Sequence, residues 1–141
     1  EVAKGVLVLE PAMQWKSIIS YIKTVEPGTS ISYGGTFTAK EKMTVATIPV
    51  GYADGMKRDL SGKGRVLIHG QYAPILGRIC MDQFMVDVSH IKEAIGDTVT
   101  IFGKDGEKNI PVEEIAEKSH SFNYEFVCSI TNRVPRKYLG E

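Results

Sequence analysis

Three short motifs contain the side chains best suited to acid–base chemistry or to substrate contact. They are Ser32-Tyr33-Gly34, Gly51-Tyr52-Ala53-Asp54-Gly55 and Ile79-Cys80-Met81-Asp82-Gln83. Phenols and carboxylates can transfer protons, and a thiolate can act as a nucleophile. The glycines allow the backbone to approach a ligand or another chain closely. The functional hypothesis for each motif is that a strand end or loop presents its side chains to a site.

Tyr33 has two interpretations. A tyrosine beside two glycines at a strand end is most often a core or cross-strand residue. The alternative is a proton-transfer group, although a free tyrosine has a pKa of about 10 and is a poor base at neutral pH. That role requires a cation or hydrogen bond that favours the phenolate. Arg58 and Arg78 are the candidate cations in this sequence.

Two further tyrosines have the same ambiguity. Tyr52 either belongs to ordinary turn chemistry, since Asp54-Gly55 is a common turn pair, or is presented to a pocket by its loop. Tyr124, in Asn123-Tyr124-Glu125, belongs either to a last strand or to a site where its phenol lies near an anion.

The stretch 78–83 is unusual for a strand because polar residues interrupt its apolar residues, as at a bulge or a strand end that enters a site. Met81 is more often core filler than a ligand contact. A buried inert thiol is favoured for Cys80, because the sequence shows no Cys-His arrangement. The three histidines lack metal-ligand spacing, so we predict no structural metal.

Composition restricts the class of protein. A chain of 141 residues fits one domain, here taken as residues 1–141. Lys plus Arg and Asp plus Glu both number 17, and this balance argues against nucleic acid or anionic membrane as the main partner. Two cysteines favour a cytosolic chain with free thiols. The start, without Met and directly in apolar sequence, is typical of a domain boundary.

Strand patterns with glycine turns every eight to twelve residues predict a mostly β fold, a barrel or sandwich, with one or two short helices. Asn109 is expected to cap a helix that continues to Lys118, and residues 90–95 are expected to form a single helical turn. The predicted strands are residues 15–25, 30–38, 43–50, 65–68, 72–76, 78–88 and 97–102.

Five motifs, taken together in this order, resemble the C-terminal domain of the fold-type III, pyridoxal-phosphate-dependent alanine racemases. The resemblance extends from residue 11 to residue 138 and implies a β-barrel or Greek-key-like domain that follows a TIM-like barrel and builds a homodimer. Residues 1–12 would then be the end of the inter-domain linker. The motifs are Ser32-Tyr33-Gly34, Pro49 to Gly55, Gly77 to Gln83, Asn123-Tyr124-Glu125 and Arg133-Val134-Pro135-Arg136.

The resemblance also implies a role for each site residue. Tyr33 matches the tyrosine that exchanges the α-proton on one face of alanine, while the lysine that holds pyridoxal phosphate serves the other face. Met81 matches a residue that lines the substrate carboxylate site across the dimer interface. Tyr52 matches a substrate-pocket residue near the entrance of the site. Tyr124 matches a tyrosine that hydrogen-bonds the cofactor phosphate.

Four other residues have supporting roles by the same resemblance. Arg78 and Arg58 match groups at the entrance of the site, and Cys80 and Asp82 are expected to support it. The cofactor lysine lies in a barrel motif that this sequence does not contain. We therefore predict that the chain alone neither racemises alanine nor holds the cofactor tightly.

Three alternatives remain open at this stage. A serine or alanine racemase domain would share the architecture, with the pocket near Tyr124 deciding the substrate. A stand-alone β-barrel binding module would use the scaffold without chemistry. A nucleic-acid-binding barrel is disfavoured, since basic and aromatic residues are not interleaved.

Overall fold

Antiparallel strands make up most of the computed structural model, which describes residues 10–140. Most of the expected linker segment, residues 1–9, lies outside the described residues. The strands are β1 (Trp15–Ile18), β2 (Tyr21–Val25), β3 (Ser30–Ile31), β4 (Phe37–Thr38), β5 (Met43–Ile48), β6 (Arg65–Ile68), β7 (Gln71–Leu76), β8 (Phe84–Asp87), β9 (Thr98–Asp105) and β10 (Lys108–Ile110). The helices are α1 (Val112–Lys118) and α2 (Asn123–Ser129), and three short 3₁₀ turns span Tyr33–Gly35, Tyr52–Asp54 and Arg58–Leu60.

Eight strands form one sheet in the order β1-β9-β6-β7-β8-β5-β2, with β10 paired to β9. The path ends at β1 and β2 and does not close on itself. Strands β3 and β4 form a separate hairpin. The predicted mostly β class with two short helices is confirmed.

Three aromatic side chains join the sheet to helix α2. Trp15 on β1, Phe102 on β9 and Phe126 on α2 are buried, with ring centroids 6.1 to 6.3 Å apart. Burying a phenylalanine side chain contributes about 2 to 3 kcal/mol, so Phe126 anchors the helix firmly. The last elements of the chain are thereby held against the sheet.

Several predicted strands are shorter than expected. Residues 15–25 form two strands, because Ile19 donates its amide to Asp97 while Ser20 donates to Thr47 on another strand. Residues 30–38 form the two-residue strands β3 and β4 around a 3₁₀ turn. Residues 78–83 precede the strand that begins at Phe84 and make loop contacts instead.

The helix predictions also need correction. Asn109 lies in β10 rather than at a cap, and Pro111, whose ring fixes φ, precedes the first helical residue. Tyr124 lies in α2, so the last-strand interpretation of residues 123–125 is wrong. Residues 90–95 form turns and irregular backbone without a helical turn.

Candidate functional site

The loop 78–83, between β7 and β8, is the centre of the candidate site. Its backbone is fixed at two points, where Ile79 donates its amide to Ser61 Oγ at 3.0 Å and Cys80 donates to the carbonyl of Gln83 at 2.8 Å. These bonds leave the Met81 side chain 53% exposed. The core-filler interpretation of Met81 is therefore wrong.

The loop that carries Tyr52 lies directly against this centre. Tyr52 and Ala53 donate their amides to the carbonyls of Cys80 and Met81, each at 3.0 Å. A Cβ on Gly51 would overlap those two carbonyl groups. Gly51 therefore allows the two backbones to approach, and this contact sets where the Tyr52 ring emerges.

Tyr33 is presented by a strained turn at the end of β3. The preceding residue, Ser32, has φ 64° and ψ −179°, a conformation that L residues seldom adopt and that costs about 1 to 3 kcal/mol. Its hydroxyl donates to the carbonyl of Arg78 at 2.7 Å and lies 3.6 Å from Cys80 Sγ. Backbone strain of this kind is concentrated at functional sites.

A guanidinium faces each of the two tyrosines. The Cζ atom of Arg78 lies 5.5 Å from the Tyr33 ring centroid, and that of Arg58 lies 5.9 Å from the Tyr52 ring centroid. Both distances are within the range of cation–π attraction. A Cβ on Gly34 would be 2.8 Å from Arg78 Nη1, so this glycine leaves room for the guanidinium. The cation that the sequence required near Tyr33 is present.

The side chains of Tyr33, Tyr52 and Met81 are all exposed. Tyr33 and Tyr52 are 44% and 43% exposed, close to the value for Met81. Core packing therefore does not explain their positions. The cluster is an open, partly apolar surface with two arginines at its edge. Cys80 is a free thiol. It is half-buried, whereas the sequence favoured a buried thiol.

Asp82 and Asp54 share one arginine that the sequence interpretation did not assign to the site. Arg133 Nη2 donates to Asp82 Oδ1 at 2.6 Å, and Arg133 Nε lies 3.2 Å from Asp54 Oδ1. The hydrogen bond to Asp82, followed by the nearby charges of both carboxylates, raises the pKa of Arg133 above its ordinary value. The sequence signal for this contact is Asp54, which is interpreted from the sequence as a turn residue. In the structure its carboxylate is buried.

Tyr124 lies apart from this cluster. Its ring packs edge-on against Phe122, with centroids 6.0 Å apart, and it is 72% exposed. It lines a cavity of about 600 Å³ whose wall is formed by residues 10–13, 109–113 and helix α2. Helix α2 contacts the cluster side of the molecule through Glu125. Its carboxylate pairs at 3.4 Å with the ammonium of Lys57, the residue before Arg58.

Two other features are absent from the described part of the chain. Within residues 10–140, no three His, Cys, Asp or Glu side chains are grouped where they would hold a metal ion. Over the same residues, no helix has the length and apolar character needed to cross a membrane.

Comparison with known proteins gives a consistent result. The family described as alanine racemase, C-terminal domain, matches residues 12–138. The alanine racemase of Halothermothrix orenii is 51% identical over 134 residues, which is 94% of this chain and 35% of that protein. The alanine racemase of Methanococcus maripaludis is 50% identical over 132 residues, again 35% of its length. The chain thus spans about a third of these relatives.

Solved structures agree with the fold. The alanine racemase of Bacillus anthracis with bound L-Ala-P superposes with a TM-score of 0.91 at 39% identity, covering 96% of this chain and 34% of that one. The Clostridium difficile alanine racemase in complex with cycloserine gives 0.84 at 47% identity, covering 91% and 33%. The family match over residues 12–138, together with these relatives and structures, shows that this chain belongs to the alanine racemase C-terminal domain family.

Proposed function

We propose that this chain is the part of an alanine racemase that supplies the tyrosine acid/base and one wall of the substrate pocket. The complete enzyme interconverts L- and D-alanine with pyridoxal 5'-phosphate. The observation that carries the proposal is the position of Tyr33. Its phenol is exposed on a strained, hydrogen-bonded turn, with the Arg78 guanidinium beside its ring.

Racemisation removes the α-proton from one face of the amino acid and returns a proton to the other. Two acid/base groups must therefore flank Cα, and one phenol on an open surface suits one of the two positions. We assign Tyr33 to it. Arg78 places a positive charge beside the Tyr33 ring, with its Cζ atom 5.5 Å from the ring centroid. The second group is the lysine that holds the cofactor, on the barrel domain of the partner subunit.

Pyridoxal phosphate supplies the electron sink that makes the loss of the α-proton accessible. The residues of this chain fit one half of such a site. Lys57, the residue before Arg58, forms an ion pair through its ammonium group with Glu125. The cluster around Tyr33 is also open rather than enclosed. An attachment lysine contributed from elsewhere is consistent with both observations.

We assign the remaining residues the roles that the family resemblance implies. We assign Met81 and Tyr52 to the wall against the substrate, with Met81 toward its carboxylate; both side chains are exposed, and their loops are hydrogen-bonded to each other. Arg58 and Arg78 line the entrance of the site. Cys80 and Asp82 support the loop.

We assign Tyr124 to the phosphate of the cofactor. Its exposed phenol is separate from the cluster, at a cavity whose wall includes residues 10–13. Residues 10–12 are the end of the expected linker, so this surface suits contact with the barrel domain of the same subunit. The Tyr33 cluster then serves the partner subunit of a homodimer. The two free thiols favour the cytoplasm.

The test uses the full-length, cofactor-loaded protein that contains this chain. Tyr33→Phe removes the hydroxyl alone, and we expect the racemisation rate to fall by about 10² to 10⁴-fold. Tyr138→Phe is the matched control, since Tyr138 is 91% exposed and outside the cluster. The change in the circular dichroism of alanine over time, started from L-alanine or from D-alanine, measures the rate in each direction. Near-full rates for Tyr33→Phe in both directions would refute the assignment.

A further inference from the structure

One guanidinium connects the two loops that form the substrate wall. Arg133 contacts Asp82 at 2.6 Å and Asp54 at 3.2 Å. Asp54 comes two residues after Tyr52, and Asp82 comes one residue after Met81. Arg133 therefore contacts one aspartate in each wall loop, Asp54 near Tyr52 and Asp82 next to Met81.

The Asp54 carboxylate is an internal part of its loop. It is 7% exposed, and its second oxygen accepts the Gly51 amide at 2.8 Å. Two carboxylates held close together repel each other, and a cation between them removes that repulsion. A guanidinium suits this position because its planar fork can donate to two acceptors in fixed directions.

Arg133 is itself held in place by its neighbour Thr131. The Thr131 amide donates to the Asp54 carbonyl at 3.1 Å, and its hydroxyl donates to the Ala53 carbonyl at 3.0 Å. The segment that carries the guanidinium is thus fixed to the Tyr52 loop. Arg133 reaches from there to Asp82, and its side chain is 52% exposed.

We propose that Arg133 is a positioning residue that sets the spacing of Tyr52 and Met81 and thereby how tightly the site holds its amino acid. It acts through Asp54 and Asp82 and does not contact the substrate. This inference rests on the proposed function. It extends that function to a residue near the carboxyl end of the chain.

The test measures kcat and KM for alanine in the full-length, cofactor-loaded enzyme. For Arg133→Met we expect KM to rise about 10-fold with a smaller change in kcat, because a misplaced wall weakens binding. Arg133→Lys should recover part of the loss. Lys137→Met removes an exposed cation from the same segment and should leave both constants unchanged.

Asp82→Asn provides a second variant if Arg133→Met fails to fold, because Asp82 is exposed. It should raise KM in the same direction, and adding it to Arg133→Met should have little further effect. Unchanged KM in Arg133→Met, or in Asp82→Asn if only that variant folds, would overturn the proposal. So would a loss confined to the melting temperature or to kcat. Tyr33→Phe, measured in parallel, reports separately on the proposed function.

Discussion

The hydroxyl of Ser32 donates a 2.7 Å hydrogen bond to the carbonyl oxygen of Arg78. It connects the residue before Tyr33 to the residue whose guanidinium faces the Tyr33 ring. Ser32 makes this contact from a strained backbone conformation with φ 64°. The position of the phenol thus depends on a contact that spans 46 residues of sequence.

Replacing Ser32 with alanine should therefore impair the site more than the fold. The variant keeps the strained backbone but loses the hydrogen bond, at a cost of about 1 kcal/mol in unfolding free energy. A displaced phenol should lower kcat of the full-length enzyme by about 10-fold. Ser20→Ala is the control, since Ser20 makes a similar 3.0 Å bond to the carbonyl of Thr47 on β5. Equal kcat in the two variants would contradict the idea.

Gly51→Ala should disrupt the contact between the two wall loops. A Cβ at Gly51 overlaps the carbonyls of Cys80 and Met81, and backbone cannot yield as a flexible side chain does. We expect destabilisation of about 3 kcal/mol or more, from overpacking. Gly62→Ala is the contrasting variant because its Cβ would have free space and only its φ of 66° would be strained. Urea unfolding of both variants measures the difference, and equal losses would argue against overlap as the cause.

The parts of the fold that were predicted from sequence depend on local patterns. The hairpin of β6 and β7 follows from two apolar runs around His69-Gly70, and β5 follows from its β-branched residues. The site depends on distant contacts instead. Nothing local indicates that Arg133 meets Asp82, because 51 residues separate them. The motifs identified the residues that could do chemistry but not the contacts that bring them together.

The chain alone should be unable to racemise alanine. Its cluster around Tyr33 is exposed, and the ammonium of Lys57 is paired with Glu125. Incubation with pyridoxal phosphate and L-alanine should leave the optical rotation unchanged. A chimera in which this chain replaces the matching third of the Halothermothrix orenii enzyme should racemise alanine, since the two are 51% identical over that part. Clear turnover by the chain alone would show that the half-site description is incorrect.

The ion pair between Arg65 and Glu114 should make stability depend on pH in the acid range. Two bonds of 2.9 Å join them, and Lys118 adds a third at 2.7 Å. The Arg65 hydrogen bond is the main cause that lowers the pKa of Glu114 from its ordinary 4.5. A carboxylate with a lowered pKa in the folded state stabilises the fold above its unfolded pKa and loses that contribution as the pH falls through its folded pKa.

Glu114→Gln should therefore lower the free energy of unfolding by about 1 kcal/mol at pH 7, and the difference from wild type should shrink below pH 4.5. Glu117→Gln, at an exposed position on the same helix and outside this ion pair, is the control. Urea unfolding between pH 3 and pH 7 measures both, and a difference for Glu114→Gln that stays constant across this range would contradict the assignment.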